Sequence, residues 1–357
     1  MRKSCVKFSN MLATSFHSDP LDTCRQILGR YWPDSASATI VPRTHSVGFS
    51  GAAIYRVEYD RREYCLRRWP LLAPEPRRLT GLHRLLAFTA ARGISQVPVP
   101  LQTSSGQTLL RADGHWWQLE PWMPGKADFH ALPNRTRLQS AMQTLAAWHL
   151  AARQFTPQAE EVAWFFHAES AVSPGLTERW KLLSHWHDRG EAVFRPLLQT
   201  YPDFELREIL SRIWNHVRNV EPATTSKLAG LLGRPAPLQP CLRDVWHDHL
   251  LFTGDRLSGL IDAAACRSDC VVTDLARVLG SLVEDDRIEW EFALDSYQAV
   301  RPLSLTELSL LPAFDESAVV LSGLTWLDWL LVQKRVFAER THVKERLEGV
   351  ARRLERR

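Results

Sequence analysis

CLRDVWHDHLLF, Cys241 to Phe252, places an aspartate, Asp244, in a short polar loop, and five residues later a histidine, His249, opens the apolar run Leu250-Leu251-Phe252. Three readings compete: a catalytic loop with an unusual metal ligand, the remnant of one, or an ordinary polar turn. Downstream, LSGLIDAAA carries Asp262 at the end of a second short apolar run, and Gly254-Asp255 between the runs has the composition of a hairpin turn. Hairpin-linked strands bring Asp244 and Asp262 to one end of the pair. Two aspartates so placed can hold Mg²⁺ across ATP phosphates while one accepts a hydroxyl proton.

At 357 residues the chain exceeds the roughly 250 to 300 residues of a single core, so two lobes are expected. Its 44 basic and 40 acidic residues give a net charge of +4, and the cations are spread along the chain instead of clustering beside exposed aromatics. No nucleic-acid partner is expected from this pattern. Six cysteines without a CxxC pair read as free thiols in a reducing compartment. Cys266 and Cys270 with His247 or His249 lack the spacing of a zinc site. The start, MRKSCVKFSNMLATSF, has polar residues interrupting its apolar ones, so no signal peptide is read, and no run approaches 18 apolar residues. A cytoplasmic protein with no membrane partner is the expectation.

Asp22 to Trp32 reads as a short helix; ATIVPRTHSV, AAIYRVEY and EYCLRRW then alternate as three strands. A helix over Arg78 to Arg92, ended by Gly93, precedes two further strands near 107–111 and 115–122, and Met123-Pro124-Gly125 breaks the pattern. Helical stripes follow, with His149 on one over 137–153, then Leu206 to Val217, then Thr306 to the basic tail KERLEGVARRLERR, expected to be a solvated helix.

Further candidates are GFSG, Gly48 to Gly51, whose small residues let backbone N–H groups approach phosphate, and Arg67 on a following strand, with Arg68 on the opposite face. Each taken alone is as well explained by a hairpin turn or a surface arginine.

Together these segments resemble the aminoglycoside phosphotransferase and choline kinase family, which has a protein-kinase-like fold. Its members carry a His-Gly-Asp loop with Asn five residues on, an Ile-Asp-Phe metal segment, and an Asp-Leu-Ala that opens a helix. Here LRD (242–244), His249, LID (260–262) and TDLA (273–276) stand at those places, with Asp262 eighteen residues after Asp244 and Asp274 twelve after Asp262. The resemblance implies an α+β, bilobal protein-kinase-like fold: an N-terminal extension with a short helix at 1–37, a small antiparallel-sheet N-lobe with one helix at 38–123, and a larger helical C-lobe at 124–357. The catalytic loop spans 241–252 and the metal segment 259–274. It implies ATP-dependent transfer of a phosphoryl group to a small-molecule hydroxyl, with Asp244 as base and Asp262 as metal ligand. Gly48, Ser50, Gly51 and Arg67 would then meet phosphate, and the Glu120 to Trp122 backbone would receive adenine. Asp274 is expected to N-cap its helix and hold the loop.

Several residues depart from that pattern. Leu242 and Arg243 replace His-Gly, no acid on the 78–92 helix can pair with Arg67 (Glu75 is a poor substitute), and His249 replaces Asn. Imidazole suits Mn²⁺ better than Mg²⁺, so either His249 binds a softer ion, Asp248 supplies an oxygen, or one ion at Asp262 suffices. The alternative to an active kinase is an impaired pseudokinase that binds nucleotide or scaffolds a partner. Trp246 is the tryptophan to watch, since it lies inside the loop where a bound substrate would stand; Glu160, Glu161, Asp188, Asp203 and Glu205 read first as solvated surface, with a cationic substrate as the alternative.

Overall fold

The computed structural model describes residues 20–43, 52–72, 74–337 and 339–357. Gly48, Ser50, Gly51 and the first sixteen residues lie outside them. Contacts divide the chain into two compact units, Met1–Pro74 with Pro100–Trp122, and Glu75–Val99 with Met123–Arg357.

In the first unit, helix α1 (Pro20–Leu28) covers a five-stranded antiparallel sheet built from β1 (Thr39–Pro42), β2 (Ala53–Tyr59), β3 (Arg62–Arg68), β4 (Leu110–Ala112) and β5 (His115–Pro121), in the order β1-β2-β3-β5-β4. Strand alternation sorts the side chains by face. Tyr55, Val57, Leu66, Trp117 and Leu119 point one way and pack with Cys24, Ile27 and Leu28 of α1. The sequence reading set α1 apart as an extension; its buried stripe instead completes the sheet's core. Cys65, Arg67, Gln118 and Glu120 share the other face, because Arg67 lies opposite Gln118 and Cys65 opposite Glu120.

The second unit begins with α2 (Pro76–Ala90), opened by proline in its first turn. The sequence reading put this helix in the N-lobe, but it packs on α3 (Arg135–Ala152) and groups with the second unit. There follow β6 (Ala168–Ala171), the long pair α4 (Pro174–Gln199) and α5 (Phe204–Ala229), β7 (Ala236–Cys241), the hairpin β8 (Leu250–Thr253) and β9 (Arg256–Leu260), β10 (Arg267–Asp269), α6 (Val272–Leu282), α7 (Arg287–Gln298), α8 (Leu305–Leu327) and α9 (Arg340–Glu355). Strand β7 pairs with both β6 and β10. Lys126 pairs with Phe252 at the edge of the hairpin (N–H to O 3.0 and 2.8 Å). Gly125 makes this possible: its φ is +100°, and a Cβ there would stand 2.7 Å from the Phe252 carbonyl oxygen.

Leu305–Val332 is long and apolar enough to cross a membrane by length and composition alone. Leu310, Leu311, Phe314, Val320, Leu324 and Leu327 along it are buried, and α8 packs on α5, α6 and α9, so it is the core helix of this unit. The basic tail is not a free cationic face. Val343, Leu347, Ala351 and Leu354 of α9 are buried, while Arg340 pairs with Asp203 and Glu205, and Arg353 and Arg357 with Asp285 and Asp315.

The start of α8 is held by a buried ion pair. Glu307 accepts from Arg301 (2.7 Å) and from the Ser304 N–H (2.7 Å), and the Ser304 hydroxyl accepts the Glu307 N–H in return (3.2 Å). Glu307→Ala strips Arg301 of its counter-charge inside the protein, and the expected loss is about 3–5 kcal/mol, read as a lower urea midpoint at unchanged m.

Candidate active site

After β7 the chain turns sharply. Arg243 has φ +66° and Asp262, just past β9, has φ +59°, a region that costs a residue with a side chain about 1–3 kcal/mol. Buried acceptors fix the first of these. The Asp274 carboxylate accepts the Leu242 N–H on Oδ2 (2.7 Å) and the Arg243 N–H on Oδ1 (2.6 Å), while the Arg243 guanidinium reaches Glu178 (2.5 Å) and Asp269 (3.3 Å).

Asp274 does not cap α6, as the sequence reading had it. The helix starts at Val272 with Val271 as N-cap, and Asp274, inside the first turn, gives its carboxylate to the loop. A third donor is His149 Nε2 from α3 (3.0 Å), whose Nδ1 lies 2.8 Å from the Tyr297 hydroxyl. Carboxylate on one side and hydroxyl on the other define the neutral Nε2–H tautomer, and burial holds the His149 pKa below its usual value. His149, Cys241 and Asp274 bring donor atoms within 4.8 Å of one another. His149 and Asp274 are already bonded to each other, however, and burial raises the Cys241 thiol pKa well above its usual value, so the trio supports the loop and is no metal cage.

One face of α6 serves the loop throughout, because positions 274, 277 and 281 recur at helical spacing. Arg277 donates Nε and Nη2 to Asp244 Oδ1 (3.2 and 3.1 Å). Ser281 Oγ accepts the His247 N–H (2.9 Å) and bonds its Nδ1 (2.6 Å). Burial first, then the charges of His130, Arg346, Arg277 and His249, push the His247 pKa down to about 3.

His249 stands between the two aspartates. Its Nδ1 lies 2.7 Å from the Asp244 carbonyl, so Nδ1 carries the proton, and its Nε2 receives the Trp246 indole N–H (3.0 Å). The imidazole lone pair therefore faces Trp246, and Asp262 Oδ2 lies 3.8 Å from Nε2. Asp248 is turned away, onto Arg346 of α9 (2.6 Å). Trp246, watched as a residue inside the loop, is 9% exposed, with the Arg346 guanidinium 3.9 Å over its ring. An oxygen-preferring ion that keeps its waters would fit the Asp262 carboxylate better than it would fit the engaged His249 ring.

In the first unit Arg67 lies 3.7 Å from Glu120, both nearly buried. Gln118 bonds Glu120 (2.6 Å) and accepts from the Trp69 indole (2.9 Å). The acid missing from the helix is supplied by a neighbouring strand. Glu75 lies in the second unit. The Trp122 N–H donates to the Glu63 carbonyl (3.0 Å), and its ring meets Arg43 and Arg56 at 5.5 and 5.1 Å. Of the acids for which a cationic substrate was the alternative reading, Glu161 pairs with Arg84, and Asp203 and Glu205 with Arg340, so they are structural. His149, Arg277, Ser281 and Arg346 were missed as site residues. The spacing of 277 and 281 from Asp274 on one helix was the available signal for two of them.

The fold and this loop define a phosphotransferase. The chain belongs to the phosphotransferase enzyme family, whose model matches residues 43–302. It is similar to homoserine kinases, 33% identical over 252 residues to that of Rhizobium etli (strain CIAT 652), covering 69% of this chain and 68% of the relative. For that of Agrobacterium fabrum the identity is 28% over 255 residues, covering 69% and 68%. Among solved structures, an aminoglycoside phosphotransferase from Alicyclobacillus acidocaldarius superposes with TM-score 0.61 at 14% identity over 92% of both chains. An amicoumacin kinase in complex with AMP-PNP and Ca²⁺ gives 0.62 at 14% over 94% of both. The protein is accordingly a small-molecule kinase of protein-kinase-like fold that carries out ATP-dependent phosphoryl transfer to a hydroxyl.

Because the folded-state pKa of His149 lies below the unfolded value near 6.5, the unfolded chain takes up the proton first as pH falls. Stability should therefore decline below about pH 6.5. His149→Gln should flatten that decline by up to about 1.4 kcal/mol per pH unit, seen in urea midpoints between about pH 5 and 7. An unchanged slope would clear His149 of the effect.

Proposed function

We propose that Asp244 is the general base of this kinase, Asp262 the ligand of its divalent ion, and Arg67 the cation that meets the nucleotide phosphates. The observation carrying the first role is the division of labour on one carboxylate. Oδ1 of Asp244 accepts both Arg277 donors, while Oδ2 accepts nothing among the described residues, and the side chain is 48% exposed. An acceptor hydroxyl bonded to Oδ2 would pass its proton there as its oxygen bonds the γ-phosphorus and the bond to the ADP oxygen breaks.

In this reading the nucleotide is ATP and the ion is Mg²⁺. A divalent ion at Asp262 would neutralise phosphate oxygens; Mn²⁺ coordination by His249 would first require Trp246 to give up its bond to Nε2. Glu120 orients Arg67 across the sheet, and the adenine edge would meet backbone between Glu120 and Trp122 other than the Trp122 N–H. Gly48, Ser50 and Gly51 are proposed as the phosphate turn on sequence alone. Homoserine is the first acceptor to test, because the similar kinases are named for it, and a cytoplasmic location suits the buried free thiols Cys24, Cys65, Cys241, Cys266 and Cys270. The pseudokinase reading draws its support from the same His249 lone pair, which is engaged inside the protein.

Two variants separate the readings. Asp244→Asn should lower kcat by about 10²- to 10⁴-fold while ATP still raises Tm; turnover at the wild-type rate would remove Asp244 from the role of base. Asp262→Ala should abolish the Mg²⁺-dependent part of ATP binding in calorimetry, and undiminished binding would move the metal elsewhere.

A further inference from the structure

Resting on the reading of Asp244 as base, we propose that the acceptor carries an anionic group, a carboxylate or a phosphate, near its reacting hydroxyl, and that Arg277 receives it. Arg277 grips Asp244 Oδ1 with Nε and Nη2, while its Nη1 meets no acceptor among the described residues and its side chain is 39% exposed. The guanidinium also lies 5.6 Å from the Trp246 ring, so three contacts fix its plane. It thus presents an open donor edge beside the base. A guanidinium so held is pre-organised for carboxylate or phosphate oxygens.

A second observation points the same way. Arg179, on α4, gives its Nη1 to the Phe314 carbonyl and the Ser317 hydroxyl, both at 3.2 Å, and among the described residues no carboxylate lies within ion-pair distance of it. Burial, together with repulsion from Arg243 and Arg277, draws its pKa down to about 10, only partly offset by Asp269 and Asp315. The other cations near the loop have partners: Arg346 holds Asp248, and Arg243 holds Glu178 and Asp269. Arg179 therefore adds positive charge beside Arg277 that no paired carboxylate offsets among the described residues, and an incoming anion would offset it. A polycationic acceptor would add repulsion at the same place. Because one side chain would touch both the base and the anion, the acceptor's charged group and its hydroxyl must lie within a few bonds of each other.

The test uses matched acceptors with the wild-type chain, Arg277→Gln and Arg277→Lys: L-homoserine against homoserine amide, and glycerol 3-phosphate against glycerol. ADP release gives kcat and KM, and calorimetry gives binding where turnover is slow. In at least one pair the wild type should favour the anionic member by about 10- to 100-fold. The pair that shows it separates carboxylate from phosphate as the source. Arg277→Gln should bring that ratio close to 1, chiefly through KM, and Arg277→Lys should restore part of it. The proposal is overturned if the wild type favours the neutral members, or if Arg277→Gln lowers both members of a pair alike and leaves the ratio intact. That second outcome would mark Arg277 as a residue that only positions Asp244. Failure of the underlying reading looks different: Asp244→Asn would then turn over acceptor as fast as wild type, whatever Arg277→Gln does.

Discussion

The site hangs on one buried carboxylate. Asp274 accepts two successive backbone N–H groups of the catalytic loop and a histidine N–H from α3. An ionised carboxylate with no solvent exposure is tolerable only when hydrogen bonds replace its water, and here three donors do so. The dependence is mutual. The carboxylate needs the loop's donors, and the loop needs the carboxylate, because two N–H groups pointing at one acceptor pair force Arg243 into its left-handed conformation. That conformation swings Asp244 out of the buried strand β7 to an exposed position beside α6.

The same geometry explains a departure from the family pattern. Members resembling this chain carry glycine where Arg243 stands, and a φ of +66° is what glycine adopts at no steric cost. Here the conformation is enforced by side-chain anchoring to Glu178 and Asp269. The missing histidine is compensated in a comparable way: Leu242 is buried, and a histidine reaches the loop's support from a helix far away in sequence. Strain of this kind persists because the surroundings over-determine it.

Spacing along the chain was informative where local constraints dominate. The hairpin around Gly254-Asp255, the alternation in β2 and β3 and the separations among Asp244, Asp262 and Asp274 all follow from periodicities of two and 3.6 and from turn chemistry. Partners brought together by tertiary packing were not legible. Nothing local in CLRRW says that Arg67 will meet Glu120, since that pairing is set by the register of β3 against β5. Nor does the basic tail announce that Arg346 will lie over Trp246; only the docking of α9 on α5 and α8 decides it. The role of Asp274 was half legible: its support of the loop was expected, but the carboxylate's direction depended on which donors were unsatisfied.

His249 shows how a substitution at a metal position can be absorbed. An asparagine offers a carbonyl oxygen to a cation and an amide to the loop, two functions on one side chain. The imidazole keeps the second, through Nδ1–H to the Asp244 carbonyl, and directs its remaining lone pair to the Trp246 indole. Trp246 is in turn braced by Arg346, so the C-terminal helix becomes part of what holds the catalytic loop. Where the resemblance implies a ligand, the imidazole serves as a strut. Under the proposed assignment oxygen coordination would fall to Asp262, whose left-handed backbone follows the Ile261 N–H bond to the His249 carbonyl (3.0 Å), and a hard ion with water in its remaining positions is the chemistry such a donor would favour.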